Sequence, residues 1–209
     1  SQKTTMKATF VVAIFAFAAV AYQDPNATAT LRVLSRSCVS AGCARGGACL
    51  PRFARWEGKS ELRRGLAFVI SVRRMRRTSA TDWANMEHFA ASALPAYEAL
   101  FQRGGGEGAS YVVLPQVPTA RGFRLARGAE TDWFEGMSLA MGRALGGDEV
   151  QVVTREDLPL CFEKVAHASY VPRATYVRDA EAARALRLQA LASAGAASAG
   201  PTRTVTVAL

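Results

Sequence analysis

Apolar segments of strand length alternate with segments of helical spacing between residues 65 and 195. The strand-like segments are short and are bounded by charged residues, glycines or turns, as buried strands are. Strands that alternate with helices at this spacing predict a mostly parallel, doubly wound α/β sheet. The predicted strands are GLAFVISV (65–72), YVVL (111–114), EVQVV (149–153) and TVTVAL (204–209). LCFEKVAHASYV (160–171) is ambiguous by period, and we favour a strand there.

Three amphipathic helices are predicted between these strands. The first spans 82–103 and carries Pro95 near its centre, where we expect a kink or two abutting helices. The second spans 131–147 and has Asp132 as its candidate cap. The third spans 179–195, begins at an aspartate that can cap it and ends at a glycine.

The first helix opens with NMEHF (85–89), which places Asn85, Glu87 and His88 at its start. Ligands of open α/β sheets bind beyond the carboxyl ends of the strands. Because this helix follows the strand 65–72 and its connecting loop, we expect these three side chains at the rim of a site. A histidine there can accept a proton near neutral pH, since its unperturbed pKa is about 6.5. The alternative for His88 is a helix-start histidine bonded to the backbone, and Asn85 can brace the turn.

The N-terminus has the pattern of an export signal. Met6-Lys7 precedes an apolar stretch that ends in the small-x-small sequence Ala19-Val20-Ala21. The stretch is shorter than the ~20 residues that span a bilayer, so a cleaved signal peptide at 1–21 is favoured over a short signal anchor. Asn26 opens an N-glycosylation sequon, which is used only in the secretory pathway. We therefore expect the lumen of the endoplasmic reticulum or Golgi, with an N-terminal membrane anchor as the competing arrangement.

Three of the four cysteines, Cys38, Cys43 and Cys49, cluster in one segment, and Cys161 stands alone. In an oxidising compartment the cluster can supply one local disulfide, with its third thiol bonded to Cys161 or free. The paired spacing that zinc requires is absent, so no metal site is expected. Residues 22–60 are accordingly predicted to form a cysteine-containing, loop-rich stem.

Basic residues outnumber acidic ones by 26 to 17, which gives a formal net charge of +9. A dense basic run can meet nucleic acid, anionic lipid or a phosphorylated substrate, and it can also be a solvated face. No zinc-finger spacing or aromatic-rich RNA-binding signature accompanies the run, so we expect no nucleic-acid partner. The run consists of Arg52, Arg55, Lys59, Arg63, Arg64, Arg73, Arg74, Arg76 and Arg77.

Two motifs carry a family resemblance. NMEHF (85–89), followed by Leu94-Pro95, resembles the "NM-x-H" and "H-x-x-x-D-x-LP" stretches of glycosyltransferase family 61. LCFEKVAHASYVPR (160–173) resembles the "vCF-x-x-v…lPR" segment of the same family. That family includes the EGF-domain-specific O-linked N-acetylglucosamine transferase and plant xylosyl- and arabinosyltransferases. The resemblance covers roughly residues 65 to 178.

The resemblance implies a Rossmann-like lobe of a two-lobed, GT-B-like enzyme. Such an enzyme moves a sugar from a nucleotide sugar, expected to be a UDP-sugar, to a protein or polysaccharide hydroxyl, with inversion and without a cofactor or metal. Residues 61–200 would be the N-terminal lobe, and 201–209 would be the first strand of a second lobe that is missing. This chain would then be a fragment. Because the second lobe carries most donor contacts in the family, the fragment would hold an acceptor but lack the main donor site.

The resemblance also assigns roles to individual residues. His88 would be the catalytic base, whereas Asn85, Glu87 and Arg173 would bind substrate. Arg173 would clamp a phosphate or the acceptor, and the alternative for it is a structural ion pair. Ser92 stands where the family usually has an acidic residue, and a serine cannot accept the acceptor's proton unaided.

The sequence is therefore compatible with three functions. The first is a secretory-pathway glycosyltransferase, and the second is a non-catalytic secreted module, derived from such an enzyme, that binds a glycan or peptide. The third is a basic protein that binds nucleic acid or acidic lipid through residues 52–77, against which the export signal argues. Continuation of the reading frame past Leu209 into a second α/β lobe would favour the first over the second.

Overall fold

The computed structural model describes residues 30–43, 49–71, 86–104, 108–117, 133–170 and 177–193. Several predictions lie outside these residues: the export signal at 1–21, the sequon at Asn26, the rim residue Asn85, the cap Asp132, the clamp Arg173 and the final strand within 201–209.

Six strands and three helices make up the described part of the chain. The strands are β1 (Thr30–Cys43), β2 (Cys49–Arg55), β3 (Leu62–Val69), β4 (Ala109–Leu114), β5 (Gln151–Thr154) and β6 (Leu160–Tyr170). The helices are α1 (Met86–Gln102), α2 (Trp133–Ala144) and α3 (Ala180–Ser193), and a 3-10 turn at Arg155–Asp157 follows β5. This composition confirms the predicted α/β class.

All six strands form one sheet in the order β2-β1-β6-β3-β4-β5. The four strands from β3 to β6 run parallel to one another, whereas β1 pairs antiparallel with both β2 and β6. Helix α1 connects β3 to β4 and α2 connects β4 to β5, which are the crossovers that parallel neighbours require. The sheet is therefore mixed, and its parallel part coincides with the strands that the sequence predicted.

One face of the sheet is covered by the helices. Leu66 and Phe68, alternate residues of β3, pack in a single buried cluster with Tyr97 of α1, Met141 of α2 and apolar residues of α3. Side chains two apart on a strand share a face, so this alternation turns β3 towards the helices. Helix α1 is one continuous helix although Pro95 lies inside it, and the two abutting helices considered from the sequence do not occur.

The opposite face is covered by the hairpin of β1 and β2. Val69, Val113 and Val153, from three neighbouring strands, form a second buried cluster with Val39 of β1, and Phe53 of β2 packs against it. The prediction of a doubly wound sheet is therefore wrong within the described residues. The hairpin occupies the face on which a second layer of helices would lie.

The sheet folds over itself because two strands bend close together. Arg36 has a φ of 44° and is left out of the pairing of β1 with β6, although the register is the same on either side of it. Gly65 has a φ of 96° where the register of β3 against β6 shifts, and its N–H donates to the Glu163 carboxylate at 3.2 Å. A register shift such as the one at Gly65 bends a strand, and a positive φ such as that of Arg36 turns it, so that one strand can take part in two packed layers.

Two disulfides hold the hairpin. Cys43 bonds Cys49 across β1 and β2, and Cys38 bonds Cys161 across β1 and β6. This is the arrangement in which the cluster forms one local bridge and its third thiol reaches the distant cysteine. The loop-rich stem predicted for 22–60 is wrong where the structure describes it. Pairing with β6 and between the hairpin strands satisfies the backbone there, so few apolar residues suffice to form strands.

Helix α3 is anchored to α1 at its start. The Tyr97 hydroxyl donates to the carbonyl oxygen of Ala182 at 2.9 Å. The Glu98 carboxylate accepts the backbone N–H of Arg178 at 2.9 Å and also that of Asp179. Asp179 in turn accepts the N–H of Ala182 at 2.8 Å, which confirms it as the cap of α3.

Candidate functional site

The order of the parallel strands changes direction between β3 and β6. From β3 the chain proceeds to β4 and then to β5 on one side, whereas β6 lies on the other side of β3. Open α/β sheets bind ligands beyond the carboxyl ends of the strands at such a switch point. The space at the carboxyl ends of β3 and β6, called the crevice below, is therefore the candidate site.

A serine and a histidine meet in this crevice. Ser71 follows the carboxyl end of β3, and His167 of β6 pairs with Val69 two residues earlier on β3. The Ser71 Oγ lies 2.8 Å from the His167 Nε2, and both side chains are partly buried. The contact fixes the imidazole at the switch point, on the face of the sheet that the hairpin covers.

Strand β2 of the hairpin forms one wall of the crevice. The Phe53 ring centroid lies 4.9 Å from that of His167, and the Arg155 guanidinium donates to the Cys49 sulfur at 3.2 Å. Cys49 and Phe53 are four residues apart on β2, a distance of about 13 Å along an extended strand. The strands β5 and β6 are three interstrand distances apart, or about 14 Å, so β2 is long enough to reach from one to the other. Strand β2 therefore crosses the parallel strands near their carboxyl ends, and Phe53 shields one side of the imidazole.

Polar groups also stand at the carboxyl ends of the other two parallel strands. Gln116, shortly after β4, is buried. Thr154 ends β5 and is also buried; its N–H and its hydroxyl both donate to the Asp157 carboxylate, at 2.8 and 3.0 Å. Hydrogen-bonding side chains thus line the carboxyl edge of the parallel strands, whereas the two cores on the faces of the sheet are apolar.

The serine–histidine pair suits proton transfer from a hydroxyl. A neutral imidazole accepts a hydroxyl proton through one ring nitrogen, and the other nitrogen donates. A substrate hydroxyl that enters the crevice could occupy the place of the Ser71 hydroxyl or bond beside it. Among the described residues there is no cluster of three or more histidine, cysteine or acidic side chains that could hold a metal ion.

The sequence-predicted site residues flank this crevice along the chain. Glu87 and His88 belong to the first turn of α1, and only their backbone is described. Asn85 and Arg173 lie outside the described residues, one residue before α1 and three residues after β6. Their roles stay predictions. Ser92 is half-buried on α1.

Sequence reasoning missed His167, although the chain has only two histidines. The available signal was its place near the end of a predicted strand, at the edge where ligands bind. That signal was incomplete, because only the pairing of β6 with β3 brings the imidazole to Ser71.

Two open grooves lie away from the crevice. One, called the hairpin groove below, is lined by Ser35, Arg36, Arg55, Trp56, Glu57 and Gly58. The other lies at the opposite edge of the sheet, where β4 and β5 begin. It is lined by Gly108, Ser110, Tyr111 and the segment 146–151.

Comparison of the chain with protein-family models, with curated proteins and with solved structures finds no match. Within the residues that the structure describes, none of the helices has the length and apolarity needed to cross a membrane. A functional proposal therefore rests on the parallel pairing of β3 with β6, which brings Ser71 and His167 together.

Proposed function

We propose that this chain is part of a secretory-pathway glycosyltransferase that moves a sugar from a nucleotide sugar to a hydroxyl with inversion. In this proposal the described sheet belongs to the N-terminal lobe of a GT-B-like enzyme, a Rossmann-like lobe in which the hairpin replaces one layer of helices, and its crevice receives the acceptor. The single observation that carries the proposal is the parallel pairing of β3 with β6 at the switch point.

That pairing relates the strands that precede or contain the two motifs resembling glycosyltransferase family 61. The first motif, 85–95, opens α1, which follows β3 in the chain. The second, 160–173, contains β6 and continues past its carboxyl end. Because β3 and β6 are parallel neighbours, the chain leaves both strands at the same edge of the sheet. This shared edge is what supports assigning both motifs to one site.

Inverting transfer requires a base at this crevice. The base takes the proton of the acceptor hydroxyl while its oxygen forms a bond to the anomeric carbon, and the bond from that carbon to the nucleotide diphosphate breaks. His88, carried over from the family motif, is the proposed base, and Asn85, Glu87 and Arg173 are proposed to bind acceptor or phosphate. His167 is a second imidazole at the same edge, held by Ser71.

The second candidate function is a secreted module that binds a glycan or peptide in the crevice without reaction. One observation favours it: Ser92 stands where the family usually has an acid. A binding module keeps the crevice and its hydrogen-bonding edge but needs no group that accepts a proton.

Sugar transfer by the protein expressed from its complete gene separates the two functions. A panel of UDP-sugars is offered with protein and oligosaccharide acceptors, and the configuration of each product linkage is read by NMR. Transfer with inversion supports the enzyme. Absence of transfer, together with glycan binding that is weakened by His167→Ala and not by the surface variant Arg187→Ala, supports the module. Transfer with retention would contradict the proposed reaction.

A further inference from the structure

The hairpin groove combines a strained arginine with a fixed tryptophan. Arg36 has a φ of 44° and is the only non-glycine residue with a positive φ among the described residues. Glycine or asparagine adopts this backbone at lower cost than a residue with a long side chain. An arginine at the corner of β1 therefore indicates that its side chain has a use beyond turning the strand.

The side chains of the groove are held in place without a ligand. The backbone N–H of Trp56 donates to the Arg36 carbonyl at 2.8 Å, and the indole N–H donates to the Ser60 carbonyl at 2.9 Å. The Arg36 guanidinium carbon lies 5.9 Å from the centroid of the Trp56 ring. The orientation of indole and guanidinium is thus set by the fold, which lowers the ordering cost of binding.

The charge of the groove is positive. Arg36 and Arg55 are exposed, and neither is ion-paired among the described residues. Glu57, the one carboxylate that lines the groove, contacts the Lys59 ammonium at 3.4 Å. Two guanidinium groups beside a half-exposed indole can bind sulfate, phosphate or carboxylate groups of a ligand while one of its rings packs against the indole face.

Two kinds of polymer combine rings that pack on an aromatic side chain with repeated anionic groups: acidic polysaccharides, whose puckered sugar rings present a face of C–H groups, and single-stranded nucleic acids, whose bases are planar. The hairpin itself favours the first. It carries both disulfides, Cys38–Cys161 and Cys43–Cys49, and structural disulfides belong to oxidising compartments outside the cytosol and nucleus. We propose that the hairpin groove binds a sulfated polysaccharide, with Arg36 and Arg55 on sulfate groups and Trp56 against a sugar ring.

The test is calorimetric titration of the full 209-residue chain with heparin at physiological salt. Arg36→Gly removes the guanidinium and relieves the left-handed backbone, so the melting temperature should stay constant or rise. Heparin affinity should fall by about tenfold or more, the loss expected for charge-assisted hydrogen bonds. Arg55→Ala should weaken heparin binding in the same way. Arg187→Ala removes the same charge from the exposed face of α3 and should change the affinity less than about twofold.

Three outcomes would overturn the proposal. The first is no heparin binding at physiological salt. The second is an equal loss of affinity in Arg36→Gly and Arg187→Ala, which would show a general charge effect. The third is tighter binding of single-stranded DNA of matched charge than of heparin, with that binding lost in Arg36→Gly. This result would make the groove a nucleic-acid site. None of these outcomes depends on sugar transfer at the crevice.

Discussion

The Nε2 of His167 lies 2.8 Å from the Oγ of Ser71, and this contact joins residues that are 96 positions apart in the chain. It lies at the switch point between β3 and β6, the position at which open α/β sheets bind ligands. In the proposed reaction, His88 is the base, and the imidazole of His167 lies at the edge of the sheet that receives the acceptor.

Alanine substitution of His88 and of His167 should show which histidine is the catalytic base and which has a structural role. If His88 is the base, His88→Ala lowers turnover by about 10²–10⁴-fold, the usual cost of losing a general base, and leaves the melting temperature unchanged. Ser92→Asp, which restores the acid usual in the family, should preserve or raise turnover. The measurement is sugar transfer by protein expressed from the complete gene, with thermal melting of each variant.

The loss of turnover in His167→Ala is compared with the loss in His88→Ala. A loss of turnover that exceeds the loss in His88→Ala would move the role of base to His167. An early melt of His88→Ala, with activity lost only in proportion, would make His88 a support for the helix. Ser71→Ala should shift the side-chain NMR resonances of His167, because it removes the hydroxyl bonded to Nε2.

Tyr97→Phe should destabilise the fold by about 1 kcal/mol, since it removes the buried hydrogen bond to the Ala182 carbonyl. Urea unfolding measures this change. Tyr111→Phe is the matched control, because its ring is only partly buried and packs on Phe162 through its face and edge. Equal losses in the two variants would contradict a specific role for the Tyr97 hydroxyl.

The same hydroxyl should make stability depend on alkaline pH. Burial, reinforced by the nearby Asp179 carboxylate, raises the pKa of Tyr97 above its ordinary value. The unfolded state then releases its proton near pH 10 while the folded state keeps it, so stability falls as pH rises above about 10. The advantage of the wild-type chain over Tyr97→Phe should shrink in that range.

Asp179 should contribute to stability at neutral pH and lose its contribution in acid. The backbone N–H of Ala182 donates to its carboxylate and lowers the pKa of Asp179. The contribution is present above the unfolded-state pKa of about 3.9 and disappears as pH falls through the lower folded pKa. Melting temperatures of the wild type and Asp179→Ala should differ at pH 7 and converge in acid. Asp179→Asn, which keeps a capping oxygen without the charge, should melt closer to the wild type at pH 7.

Two glycine substitutions should have opposite signs. Gly65→Ala places a Cβ against the Ser110 hydroxyl at a φ of 96°, and should destabilise the fold by at least about 1–2 kcal/mol. Gly136 lies inside α2 with open space around it, so Gly136→Ala should stabilise the fold by about 1 kcal/mol. Chemical unfolding of both variants checks the bend in β3. A neutral Gly65→Ala would show that the bend does not need glycine.

The export prediction is tested with a reporter fused behind residues 1–30. We expect the fusion to enter the endoplasmic reticulum and to carry a glycan at Asn26, because a charged start, an apolar run and a small-residue exit precede the sequon. Asn26→Gln should abolish the glycan without changing the destination. A cytosolic reporter without a glycan would refute the prediction.

The sequence by itself determined the local elements of the parallel part of the fold. The predicted strands at 65–72, 111–114, 149–153 and 160–171 correspond to β3, β4, β5 and β6, within a few residues at their ends. The three helices were likewise predicted, together with the cap at Asp179. These elements could be read because hydrophobic periodicity and capping depend on neighbours along the chain.

Tertiary structure decided the rest. The strands of the hairpin were missed because their residues are mostly polar or exposed, and only Val39 and a few neighbours become buried when the sheet folds over. The bends at Arg36 and Gly65, the single helical face and the Ser71–His167 contact all depend on β6 lying between β1 and β3. Pairing between strands so far apart in the chain leaves no periodic signal in either strand, because the side-chain pattern records which face is buried and not which neighbour lies beside it.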